Sequence, residues 1–133
     1  IIAYFAQYEK QCIKSMVNNF PEYAPWFEET VNRFVDLLIP FKRMFYYHPQ
    51  QQGSASMKKA LPALTGLSYD NLTIGTGGAA RFEFMRVTFE DNIDPADRQR
   101  VRDALEKYCE LDTLGMVKIL EALKKATIGI HRT

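Results

Sequence analysis

Histidine and cysteine are scarce, with two of each in 133 residues. Cys12, His48, Cys109 and His131 lie far apart, so no zinc pattern can be drawn from them. Cys12 and Cys109 could form a single disulfide, but free thiols fit their spacing in helix-like stretches better. They are expected to be buried free thiols in a cytoplasmic protein. No serine or cysteine nucleophile has a histidine partner, and His48 reads as a structural or exposed loop histidine. No apolar stretch approaches the roughly 20 residues of a membrane span, which predicts no membrane role. Neither sign of charge dominates: 17 Lys and Arg against 16 Asp and Glu leave +1. That excludes the basic footprint of strong, non-specific nucleic-acid binding. It does not exclude a metal nuclease, whose cations carry the positive charge to the phosphate. Gly75-Thr76-Gly77-Gly78 lacks the Lys-Ser/Thr of a phosphate loop, since Ala79-Ala80 follows.

What is present is ordinary globular composition, 47% hydrophobic and 25% charged. That is enough for a real core in one domain. Aromatic residues reach 13%. Such richness suits helices that dock on a sheet or a partner. Residues 1–5, Ile-Ile-Ala-Tyr-Phe, read as a buried strand cut from a longer chain. Residues 6–19 predict a helix with Tyr8, Cys12, Ile13, Met16 and Phe20 along one side. A second helix is expected from Pro25 through the Phe27, Val31, Phe34, Val35 and Leu38 stripe, ending before Pro40. After a connector over 41–53, Ser54 or Ser56 caps a short helix carrying Met57 to Leu61, which Pro62 and Gly66 break. Residues 67–74 read as loop. Thr76 caps a helix over 78–89. Asp94-Pro95-Ala96-Asp97 opens a last helix to about Lys125, bent or divided at Gly115. Helix dominates. A single strand builds no sheet, so these helices must pack on each other or on a sheet elsewhere.

Tyr108 and Asp112 stand one turn apart on one face of the last helix. A carboxylate within an apolar face is costly unless satisfied, and a hard divalent cation would satisfy it. A phenol one turn away could then orient a water. A plain Tyr–Asp hydrogen bond, or Asp112 capping a helix that begins at Thr113, accounts for the same spacing. Glu9 falls in the first turn of the first helix, where the helix dipole favours a carboxylate. It is either a surface residue or a ligand projected over the end of a sheet.

Tyr108-Cys109-Glu110-Leu111-Asp112-Thr113 resembles the last motif of DEDD-type exonucleases of the Tyr subtype. Residues 46–64, with His48-Pro49, Gly53-Ser54-Ala55-Ser56-Met57-Lys58-Lys59 and Leu61-Pro62-Ala63-Leu64, resemble a bacterial family known as domain of unknown function 2779, as does Val35-Asp36-Leu37-Leu38. Together these imply that residues 1–133 are the C-terminal half of an α/β, RNase H-like 3′–5′ exonuclease domain. In that scheme Glu9 and Asp112 are ligands of Mg²⁺ or Mn²⁺, and Tyr108 is the catalytic partner. Single-stranded nucleic acid is the substrate. Asp36 falls near the site without matching a ligand position. The second motif usually has Asn where Phe5 stands and Asp where Glu9 stands.

The first motif, Asp-x-Glu on the opening strand, would lie upstream of Ile1. The expectation is a half-domain inactive alone, whose uncovered apolar face favours self-association. The competing expectations are a catalytically degenerate RNase H-like scaffold and a helical interaction module.

Overall fold

The computed structural model describes the backbone of residues 1–130 and the side chains of 1–128. Two short strands, β1 (Ile2–Ala3) and β2 (Val35–Asp36), pair in parallel, with Ile2 opposite Val35 and Ala3 opposite Asp36. Parallel pairing requires a long crossover. Helices α1 (Ala6–Asn19) and α2 (Ala24–Val31) supply it, joined by a 3₁₀ turn over Pro21–Tyr23. Then follow α3 (Leu38–Lys42), a 3₁₀ turn at Pro49–Gln51, α4 (Met57–Thr65), α5 (Gly77–Phe89) and α6 (Pro95–Ile130). The chain is mostly helical, as the sequence predicts.

The expected second helix is cut short. Val35 and Asp36 are strand, because Val35 N–H donates to the Ile1 carbonyl (2.7 Å) and Leu37 N–H to that of Ala3 (2.9 Å). The Phe34, Val35, Leu38 spacing fits a helix locally, but this non-local ladder overrides it. Pro40 sits inside α3 rather than after a helix. It occupies the first turn, where backbone N–H groups have no intrahelical partner to lose. Pro62 likewise lies within α4, which runs on to Gly66 at φ 76°. Burial of Ala60 and Leu61 outweighs the one hydrogen bond that Pro62 cannot make. The caps of α5 and α6 are as expected: Thr76 Oγ1 accepts from Ala79 N–H (3.1 Å), and Asp94 Oδ1 from Ala96 N–H (3.0 Å).

Phe5 joins β1 to α1 with φ 70° and ψ 57°. This is a left-handed conformation that side chains with a Cβ rarely adopt. Asp36 secures the elbow, its Oδ1 accepting from both Phe5 N–H and Leu38 N–H at 2.9 Å. Asparagine tolerates left-handed backbone far better than phenylalanine does. Phe5→Asn is therefore expected to raise unfolding free energy by about 1 kcal/mol, read as a higher urea midpoint. A lower midpoint would show that the half-exposed Phe5 ring matters more than its backbone strain.

The main core gathers Leu37, Phe41, Ala60, Leu61, Tyr69 and Ile119, with Tyr4, Tyr46, Tyr108 and Leu111 packed against it. A second core of Ile74, Val87 and Val101 lies between α5 and α6. Both rest on α6, whose 36 residues form one continuous helix. Gly115 does not divide it and is packed against α4. A Cβ there would lie 2.5 Å from Met57 Cε and 3.0 Å from Leu61 Cδ2. Arg86, paired with Glu83 on the same helix (2.7 Å), ties α5 to the start of α6 through Asp97 (2.8 Å).

The expected apolar stripe of α1 is largely uncovered: Tyr8, Met16 and Phe20 are each more than half exposed, as are Phe82, Phe84 and Phe89 of α5. Cys12 and Cys109 are exposed free thiols, which corrects the expectation of buried ones. Each occupies a helix face that the neighbouring elements leave open.

Candidate functional site

Asp112 lies within the continuous run of α6, so it caps no helix beginning at Thr113. It is half-buried beside the main core. Its Oδ1 accepts a short 2.5 Å hydrogen bond from the Tyr69 hydroxyl. Tyr69 comes from the loop between α4 and α5, 43 residues away in sequence. Tyr108, one turn before Asp112, packs against Tyr69 with ring centroids 5.9 Å apart and planes tilted by 51°. A β-carbon on Gly77 would lie 3.6 Å from the Tyr108 hydroxyl, so the phenol reaches the start of α5.

Both phenols are shifted toward the protonated form. Burial raises the Tyr69 pKa most, helped by its hydrogen bond to Asp112 and by that carboxylate's charge. Burial also leads for Tyr108, followed by the charge of Asp112. Both therefore stay protonated donors through the neutral range.

Lys58, on the first turn of α4, donates its ammonium to the Gly75 carbonyl and lies 5.6 Å from the Tyr69 ring centroid. An ammonium at that distance is attracted to the ring face and braces it. On this side lies a polar cleft of about 660 Å³, lined also by Lys59, Ser68, Asp70 and Thr76.

Glu9 is exposed in the first turn of α1 and makes no hydrogen bond or ion pair among the described residues. It follows the carboxyl end of β1, the edge of a parallel sheet where α/β proteins place ligands. Asp36 stands at the carboxyl end of β2, but its Oδ1 is committed to the Phe5 and Leu38 amides. Tyr4, between β1 and α1, stacks on Phe41 (6.1 Å) and donates to the Ala55 carbonyl (2.5 Å). Tyr4 and Tyr108 thus pack on one core, which joins the end of β1 to the Asp112 face of α6.

Among the described residues, no three His, Cys, Asp or Glu side chains cluster as a complete metal cage. The oxygen donors Asp112 and Glu9 suit a hard divalent ion. Mg²⁺ commonly takes one or two carboxylates and completes its shell with water and substrate phosphate. Asp112 and Glu9 belong to no cluster of three or more potential ligating side chains among the described residues. Nor does His48 add to them: Nδ1 accepts from Gln50 N–H (3.3 Å) and caps the 3₁₀ turn.

Sequence reasoning pairs Asp112 with Tyr108 and misses Tyr69. The only local signal is a tyrosine within the polar, glycine-bounded stretch Gly66–Gly75.

Residues 1–56 match the model of the family described as Domain of unknown function (DUF2779). That span runs from β1 to the residue before α4, so it contains Glu9, Phe5 and Asp36 but not Tyr108 or Asp112. No curated protein and no solved structure matches the chain. No helix among the described residues is long and apolar enough to cross a membrane.

Proposed function

We propose that this chain is the C-terminal half of an RNase H-like, metal-dependent 3′–5′ exonuclease domain acting on single-stranded nucleic acid. The observation that carries the reading is Asp112, a half-buried carboxylate on an otherwise apolar helix face, one turn from Tyr108 and braced by a phenol. Two further observations support it. The parallel β1–β2 pair with its helical crossover has α/β connectivity, and Ala3 is buried while its strand neighbour Ile2 is not. Ile1, Ile2 and Val35 are exposed, as they would be on a pair meant to be covered by more sheet. Glu9 also lies in the first turn of the helix that follows β1, the position where the resemblance expects the acid of the second motif.

In this reading Asp112 and Glu9 hold Mg²⁺ or Mn²⁺, and Tyr108 orients the attacking water. The bound ions supply Lewis acidity and a nucleophile usable at neutral pH. The chain contains no Asp-x-Glu of its own, so this reading requires those ligands to be supplied from elsewhere. Residues 1–133 alone therefore release no nucleotide. Joined behind an Asp-x-Glu strand, they release nucleotides from a labelled single strand when Mn²⁺ is present, and Asp112→Asn removes that release. Equal release by the two proteins would overturn the assignment.

A second reading, a catalytically degenerate scaffold or helical interaction module, is favoured by Phe5 standing in place of Asn and by the uncovered faces of α1 and α5. Metal-independent behaviour of the joined protein would select it. Concentration-dependent self-association of residues 1–133, lost when the Asp-x-Glu segment is joined, would fit the half-domain instead.

A further inference from the structure

We propose that the connector over residues 42–48, together with Lys58 and Lys59, is the surface that takes a single strand of nucleic acid. Bases stack on Phe45 and Tyr47, and phosphates lie against Lys42, Arg43, Lys58 and Lys59. The inference deepens the exonuclease reading, on which its choice of ligand rests, but it involves no metal ion.

The chain is near neutral as a whole, yet its charge is unevenly placed. Residues 37–69 hold Lys42, Arg43, Lys58 and Lys59 and not one of the 16 Asp and Glu. None of these four cations is in an ion pair among the described residues. Lys58 donates to the Gly75 carbonyl and Lys59 to Gln52 Oε1, neutral partners that leave both charges uncompensated. Both lysines line the polar cleft beside α4, and so does Gln50 of the 3₁₀ turn that follows the connector. The one carboxylate in that lining, Asp70, accepts from the Ser68 hydroxyl at 2.5 Å. Such a local excess of positive charge favours an anionic partner even when the net charge is small.

The connector sets exposed rings beside these cations. Phe41 is buried, and Tyr46 packs edge-on against it at 5.9 Å, so these two anchor the segment. Phe45 and Tyr47, on either side of Tyr46, are left outside. At 73%, Phe45 is the most exposed large hydrophobic side chain among the described residues. The backbone that presents it is held. The N–H groups of Phe45 and Tyr46 both donate to the Pro40 carbonyl, at 2.8 and 3.1 Å. A single strand offers a ring face at each base and a charge at each phosphate, which matches exposed aromatics beside unpaired cations. The other large exposed aromatic group lacks the charge. Tyr8, Phe20, Tyr23 and Trp26 lie within residues 6–31, which hold four Glu against two Lys.

The test is fluorescence anisotropy of a labelled oligothymidine mixed with residues 1–133 in EDTA. Binding is weak at physiological salt, with Kd on the order of 10⁻⁵ M, and tightens as salt falls. Phe45→Ala weakens it about tenfold without changing the salt slope, and Phe45→Trp restores it. Replacing Lys58 and Lys59 together by Gln makes the slope of log K on log salt shallower by about 1.4, at roughly 0.7 per phosphate contact. Phe82→Ala, which removes a ring 64% exposed on α5, follows wild type. Duplex DNA, whose base faces are hidden, binds more weakly and ignores Phe45→Ala. Far-UV circular dichroism reports whether each variant is folded, and the lysine pair tests the surface should Phe45→Ala unfold. The proposal is overturned if wild type shows no binding at low salt, if Phe45→Ala binds as wild type does, or if Phe82→Ala weakens binding as far. The exonuclease reading is judged separately, by Mn²⁺-dependent release from the joined protein. Release together with strand binding that ignores Phe45 removes only this surface. Phe45-dependent binding without any release removes only the exonuclease.

Discussion

Asp112→Asn is expected to lower Mn²⁺-dependent nucleotide release by at least about a hundredfold in a protein that carries these residues behind an Asp-x-Glu strand, if the proposed metal role holds. Loss of an outer partner of a metal site typically costs roughly 10–100-fold, and a direct ligand is worth more. The amide keeps the shape of the side chain and can still accept from Tyr69, so the helix and its packing survive. What it lacks is the negative charge that a hard cation requires. Tyr108→Phe should lose about 10² in kcat with KM nearly unchanged, because in the proposed mechanism the phenol acts on the water rather than on binding of the strand. Steady-state kinetics with a labelled oligonucleotide distinguish the two. Equal losses in kcat and in substrate affinity for Tyr108→Phe would mean that this side chain holds the strand.

Gly115→Leu is expected to destabilise the fold by about 3 kcal/mol, seen as a lower urea midpoint with an unchanged slope. A single β-carbon already meets Met57 Cε at 2.5 Å and Leu61 Cδ2 at 3.0 Å. Met57 is flexible and can swing away, so Gly115→Ala should be nearly neutral. The gain in helix propensity, about 1 kcal/mol, offsets the crowding. Leucine leaves no such exit. Leu61 is fully buried among neighbours that cannot retreat, and α4 must lift from α6. Because α4 precedes the loop that delivers Tyr69, the leucine variant should also weaken the Tyr69–Asp112 contact. A midpoint equal to that of wild type would mean that α4 and α6 do not need their close approach.

Most of the helices can be read from the sequence because their signals are local. Thr76, Asp94-Pro95 and Gly66 mark ends through their own backbone chemistry, and the structure uses each as expected. The second strand cannot be read. Val35-Asp36 is too short for a period to show, and it is strand only because residues 1–3 lie alongside. Gly115 is legible as an interruption but not as a contact, since its meaning lies in Met57 and Leu61, on a different helix and far back in the chain. For the candidate site, the spacing puts Tyr108 and Asp112 on one helix face, and the structure keeps them there. Tyr69 escapes because a loop residue has no period by which to anticipate its partner. Glu9 is placed in its first turn by the chain itself, but its place relative to Asp112 depends on how the β1 end meets α6 through Tyr4 and Phe41.

The sharing of α6 by both cores has a consequence for how the molecule breathes. Neither α4 nor α5 can detach without baring a stretch of the same long rod, whereas α1 packs mainly on α2 and the Pro21–Tyr23 turn and touches neither core cluster. Amide hydrogens near Val101 to Ile119 should therefore be the last to trade with deuterated solvent, and those of α1 among the first. The Asp112 carboxylate would then ride on the stiffest girder of the structure, while Glu9 sits on its most readily loosened part.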